Sequence, residues 1–166
     1  MSEQDPQDPA GVSGEMATLE IRKGPEAELT GGGLRFVACR REVGDIDGGI
    51  TLQVWGETPG PEREPIELLR FDLFRGKPHY HAPAEKQEET AIDSADAVAW
   101  GVEALTARAG DFVAEAGYGD VGDGLDPAAL LTQREPLARM LADLEEPNEI
   151  SLFEVPRAVL DGLAQG

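Results

Sequence analysis

A chain of 166 residues with 40% apolar and 28% charged residues has the size and make-up of one globular domain. Its formal net charge of −19 works against nucleic acid and anionic membrane surfaces, which are bound through excess Lys and Arg. A lone cysteine, Cys39, excludes an intrachain disulfide and a cysteine-based zinc site.

Residues 1–15 are polar, acidic and broken by Pro6, Pro9, Gly11 and Gly14. They predict a disordered tail. They have no basic stretch followed by an apolar one, so no signal peptide is expected and the expected compartment is the cytoplasm. No apolar run approaches the ~18–20 residues of a membrane span. Residues 16–166 are expected to form a single domain.

The first half of that domain reads as strands. Thr18 to Arg22 alternates and stops at Gly24-Pro25. Leu34 to Val43 is rich in strand formers, and Gly44 to Gly49 follows as a turn. Ile50, Leu52 and Val54 then alternate with Thr51, Gln53 and Trp55, which is a half-buried strand and makes a hairpin with its predecessor. Glu57 to Pro65 is turn-rich. In the strand from Ile66 to Phe74, Leu69, Phe71 and Leu73 share one face and Arg70, Asp72 and Phe74 the other.

Beyond the histidines the period changes. After a cap at Asp93-Ser94, Val98, Val102, Leu105, Ala109, Phe112 and Ala116 form one helical stripe ending at Gly117. Asp126-Pro127 opens a second helical pattern, which Pro136 should split or kink. Ile150 to Val155 fits a last strand or an extended arm, and Pro156 to Ala164 a short helix. Strands first and helices after predict an α+β domain, an antiparallel meander of three to five strands with helices on one face.

Both histidines lie in PHYHAPAE, residues 78–85. On an extended segment His79 and His81 point to the same side, and Glu85 follows four residues later. No cofactor is expected of the domain as a whole; the one this pattern admits is a divalent transition metal, with His79, His81 and Glu85 as its candidate ligands. Their spacing is similar to the first metal-binding motif of cupins, in which two imidazoles and a carboxylate hold the metal. The chain departs from that family at Leu73 and Ile92, where cupins carry glycines, and it has no third histidine.

Pro78 and Pro83 bracket the segment, which suits a sheet edge with Tyr80 packed inward and both imidazoles bonded to carboxylates or carbonyls. Arg70, Asp72, Arg75, His79, Tyr80 and His81 also form a candidate ligand-binding set, in which the cations could take an anion. No catalytic residues can be assigned, and no complete catalytic constellation is present. The first functional expectation is thus a non-catalytic acidic domain acting by association, as a homo-oligomer or with a protein partner, through an open sheet edge or a patch around Trp100. The second is a small metal- or anion-dependent enzyme working at the histidine segment.

Overall fold

The computed structural model describes residues 15–165. The tail expected over residues 1–15 therefore lies, apart from Glu15, outside the described residues.

The architecture is α+β: among the described residues, an antiparallel sheet of eight strands and six helices. The sheet is larger than the three to five strands expected. Five strands are long or moderately long in sequence order: β1 (Met16–Lys23), β2 (Ala27–Gly31), β3 (Leu34–Val43), β4 (Asp47–Glu57) and β5 (Pro65–Phe74). The short β6 (His79–His81) and β7 (Thr90–Ala91) extend the sheet past β5. The late strand β8 (Glu149–Pro156) pairs with β1 along its whole length, so the spatial order is β7-β6-β5-β4-β3-β1-β8, with β2 also on β3.

Two irregularities shape this sheet. Across β4 and β5 the register slips between Val54, opposite Leu69, and Trp55, opposite Glu67. Leu68 is the extra residue, so Leu68 and Leu69 both enter the core despite being adjacent. Along β3, Lys23 of β1 faces Arg41 but Ala27 of β2 faces Ala38, leaving Gly24-Pro25-Glu26 opposite only Cys39 and Arg40. At this break the pairing along β3 passes from β2 to β1, which pairs with β8 on its other side. The β2–β3 turn carries Gly32 and Gly33 at φ 63° and 98°, the left-handed pair that a tight hairpin requires.

The helices are α1 (Ala97–Ala107), α2 (Ala109–Glu115), α3 (Gly119–Asp123), α4 (Pro127–Leu131), α5 (Arg134–Ala142) and α6 (Arg157–Gln165). The stripe from Val98 to Ala116 is thus two helices rather than one. The chain breaks at Arg108, whose guanidinium sits 5.7 Å from the Trp100 ring and 5.3 Å from the Phe112 ring. Asp96, rather than Asp93 or Ser94, caps α1 by accepting from the Ala99 N–H at 3.0 Å. Asp126 and Pro127 start α4 as expected. The interruption that follows falls at Thr132-Gln133 and not at Pro136, which sits in the first turn of α5 where an N–H has no helical partner anyway.

The core lies between the helices and the sheet face bearing Phe36, Leu52, Leu69, Phe71 and Leu73. Phe71, Tyr80, Trp100 and Phe112 form its aromatic centre, with ring centroids 5.1 to 6.2 Å apart. Trp100 is half-buried and packs into this centre.

Candidate metal centre

The opposite sheet face carries the polar row. Pairing across the strands sets Cys39 beside Thr51, Thr51 beside Asp72, and Asp72 beside His79. Arg70 is opposite His81 in the same β5–β6 pair. Period-2 alternation turns Tyr80 the other way, where it stacks on Phe71 and its hydroxyl donates to Glu115 at 3.2 Å. A three-residue strand therefore has its middle residue anchored in the core and both flanking imidazoles on the far face.

Asp72, His79 and His81 place one ligand atom each within 4.8 Å of one another. His79 Nε2 is 3.1 Å and His81 Nε2 3.7 Å from the same oxygen, Asp72 Oδ2. The other carboxylate oxygen, Oδ1, accepts from the Thr51 hydroxyl at 2.9 Å. All three side chains are largely enclosed, with 11%, 15% and 8% of His79, His81 and Asp72 exposed. Glu89, exposed just before β7, brings a second carboxylate to 3.7 Å from His79 Nε2.

Backbone carbonyls hold the far side of each ring. His79 Nδ1 lies 2.8 Å from the Lys77 carbonyl and His81 Nδ1 2.7 Å from the Lys86 carbonyl. A carbonyl only accepts, so each Nδ1 carries a proton. In the neutral rings both Nε2 atoms then present lone pairs, and both aim at Asp72 Oδ2. That is the arrangement in which metal-ligating imidazoles are held by an outer hydrogen bond. The same convergence can be satisfied by a proton on Nε2. Burial works to lower the His79 pKa, but the bonds to Asp72 and the Lys77 carbonyl and the charges of Asp72 and Glu89 outweigh it and raise the value. Burial likewise works to raise the Asp72 carboxyl, and is outweighed by His79, Thr51 and the more distant Arg41, so its pKa is lowered.

The turns that carry those carbonyls are themselves fixed. Asp47, the first residue of β4, accepts from the Gly76 and Lys77 N–H groups, at 2.8 Å each, and so pins the turn from which the Lys77 carbonyl reaches His79. In the turn after β6 the Lys86 N–H donates to the Pro83 carbonyl at 3.0 Å, and this curl returns the Lys86 carbonyl to His81.

Of the residues singled out in the sequence, Asp72, His79 and His81 come together, and Tyr80 positions them from behind. Glu85 does not join. It is exposed in the turn after β6, and the carboxylate that meets both imidazoles is Asp72 from the neighbouring strand. Arg75 turns away to pair with Glu42 at 2.6 Å, and Arg70 is engaged by Glu67 at 3.2 Å, so the cations around the histidines are drawn off by the protein's own acids. Asp47 and Thr51 were not legible as site residues. Asp47 reads as hairpin-turn chemistry, and Thr51 as one polar position of an alternating strand.

Among the described residues no helix is long and apolar enough to cross a membrane. No curated protein and no solved structure matches the chain. Residues 28–141, from β2 through most of α5 and including Asp72, His79 and His81, match the family described as "Domain of unknown function (DUF7700)". That match spans more than half of the chain, and the chain belongs to this family.

Proposed function

We propose that the domain binds one divalent transition-metal ion through Asp72 Oδ2, His79 Nε2 and His81 Nε2. The observation that carries this reading is the pinning of both Nδ1 atoms on backbone carbonyls while both Nε2 atoms face one carboxylate oxygen. Distances of about 2.0–2.2 Å to nitrogen and oxygen imply ligand atoms about 3.3 Å apart around tetrahedral zinc. The separations of 3.1 and 3.7 Å lie on either side of that value. Imidazole and carboxylate donors suit zinc, iron, manganese or nickel. Three protein donors leave positions for water, Glu89 or a substrate, as in metal sites that do chemistry.

The test is zinc titration of tag-free, metal-stripped protein by calorimetry, with bound metal counted after dialysis. One zinc per chain is expected. His81→Ala should weaken binding by more than about 100-fold, since loss of an outer partner alone costs about 10–100-fold. A His81→Ala protein that melts like the parent and binds zinc equally well would overturn the proposal.

A second reading, association with another copy of the chain, is supported at a different place. The outer edge of β8 ends the sheet, and Ile150 and Leu152 on it are 63% and 65% exposed. An edge strand with exposed apolar side chains recruits another strand.

A further inference from the structure

Beside the metal-capable cluster, at the break between β1 and β2, lies a groove of about 280 Å³ lined by no helical residue. Its floor is Val37, Cys39 and Thr51, and β8 closes one side with Ser151 and Phe153. The floor is not a solvated sheet surface, since Val37, Cys39 and Thr51 are 4%, 5% and 8% exposed. The groove adjoins the cluster directly, because Thr51 both lines it and donates to Asp72.

Three cations line this groove in a chain that has only 14 Lys and Arg against 33 Asp and Glu. Lys23 is paired with Glu26 and Arg70 with Glu67. Arg41 lines the groove, is half-buried, and has no ion pair or hydrogen bond from its guanidinium among the described residues. Arginine offers five donors in a fork that fits a carboxylate. Ile21, Val37 and Phe153 give the groove an apolar stretch, while Gln53, Glu149 and Ser151 make the rest of its lining polar.

We infer that this groove binds a small aliphatic carboxylate, its charged end on Arg41 and its hydrocarbon against Val37 and Phe153. The volume, near the lower limit of about 300 Å³ for ligand clefts, restricts the occupant to a short chain. The apolar walls favour such a molecule over inorganic phosphate, which would leave them wet. Cys39 on the floor is a lining group and not a nucleophile, since burial foremost raises its thiol pKa. Binding here does not require a metal, so its test is independent of zinc uptake.

The experiment uses metal-stripped full-length protein and follows amide resonances during titration with hexanoate, acetate and phosphate in separate arms. Hexanoate is expected to give saturable shifts at Val37, Cys39, Thr51 and Gln53, with acetate and phosphate at least about tenfold weaker. Arg41→Gln should weaken hexanoate by about tenfold or more, the scale of one lost charged hydrogen bond. Ser151→Trp, an exposed site on a different strand, should block it by filling the groove while zinc uptake persists. Absent or non-saturable hexanoate shifts, phosphate binding as tight as hexanoate, or full hexanoate affinity in a folded Arg41→Gln protein would each overturn the inference.

Discussion

His79 and Asp72 illustrate how one oxygen can serve a proton or a cation. The raised His79 value means that the ion pair contributes fully below about pH 6.5, the ordinary histidine range, and that this contribution fades as pH rises through the raised value in the folded protein. The lowered Asp72 value means that its contribution is present above about pH 3.9 and is lost as pH falls through the lowered folded value. Metal-free protein should therefore draw most stability from this pair between about pH 4 and 6.5. Zinc needs unprotonated Nε2, so its stabilisation should grow over the range in which the apo pair weakens. Thermal melts from pH 5 to 8, with and without equimolar zinc, are expected to diverge as pH rises. Parallel curves would show that proton and cation do not compete at His79.

At the scale of elements, the site depends on short turns held by residues distant in sequence. Asp47 opens β4, yet it orients a ring on β6 by way of Gly76 and Lys77. Asp47→Ala should leave the core packing of β4 and β5 in place, because Asp47 is at the strand start, but it should release the Lys77 carbonyl. Zinc affinity is expected to fall about 10–100-fold, the usual effect of an outer hydrogen-bond partner, with near-parental far-ultraviolet dichroism. Unchanged affinity would mean that the turn is rigid without Asp47.

This dependence also marks where the sequence stops being readable. Alternation places His79 and His81 on one side and Tyr80 on the other, because that needs only the local period of a strand. It cannot choose between Glu85 and Asp72, since that choice is made by the β5–β6 register, and the register depends on a turn anchored from β4. The long strands β3, β4 and β5 were legible for the same local reason. Ala27-Glu-Leu-Thr-Gly31 was missed because five residues ending in glycine carry little pattern, and its pairing with β3 supplies what local propensity does not. The split of the Val98–Ala116 stripe was hidden because both halves keep the same apolar spacing. Only the packing of Arg108 over two rings reveals the break.

For the whole molecule, charge and shape oppose each other. A net charge of −19 repels a second copy, while β8 offers Ile150 and Leu152 beside a backbone edge that no other strand pairs among the described residues. Salt shortens the reach of the repulsion to about 10 Å at 0.1 M and about 3 Å at 1 M, without weakening apolar contact. Self-association should therefore strengthen as salt rises, and light scattering between 0.05 and 1 M sodium chloride, values of about a Debye-length series, should show a growing dimer fraction. Leu152→Lys is expected to keep the protein monomeric throughout. A parent chain that stays monomeric at high salt would remove the support for this contact.

The two ends of the sheet are unequal. β7 is a stub of two residues, whereas β8 runs for eight. A sheet with full-length rims at both ends can pass hydrogen bonding from molecule to molecule without limit, which is the geometry of a fibril. Here a two-fold contact made through β8 consumes the longest rim of both participants and leaves outward only the two-residue β7 and the five-residue β2, so continued addition is disfavoured beyond a closed pair.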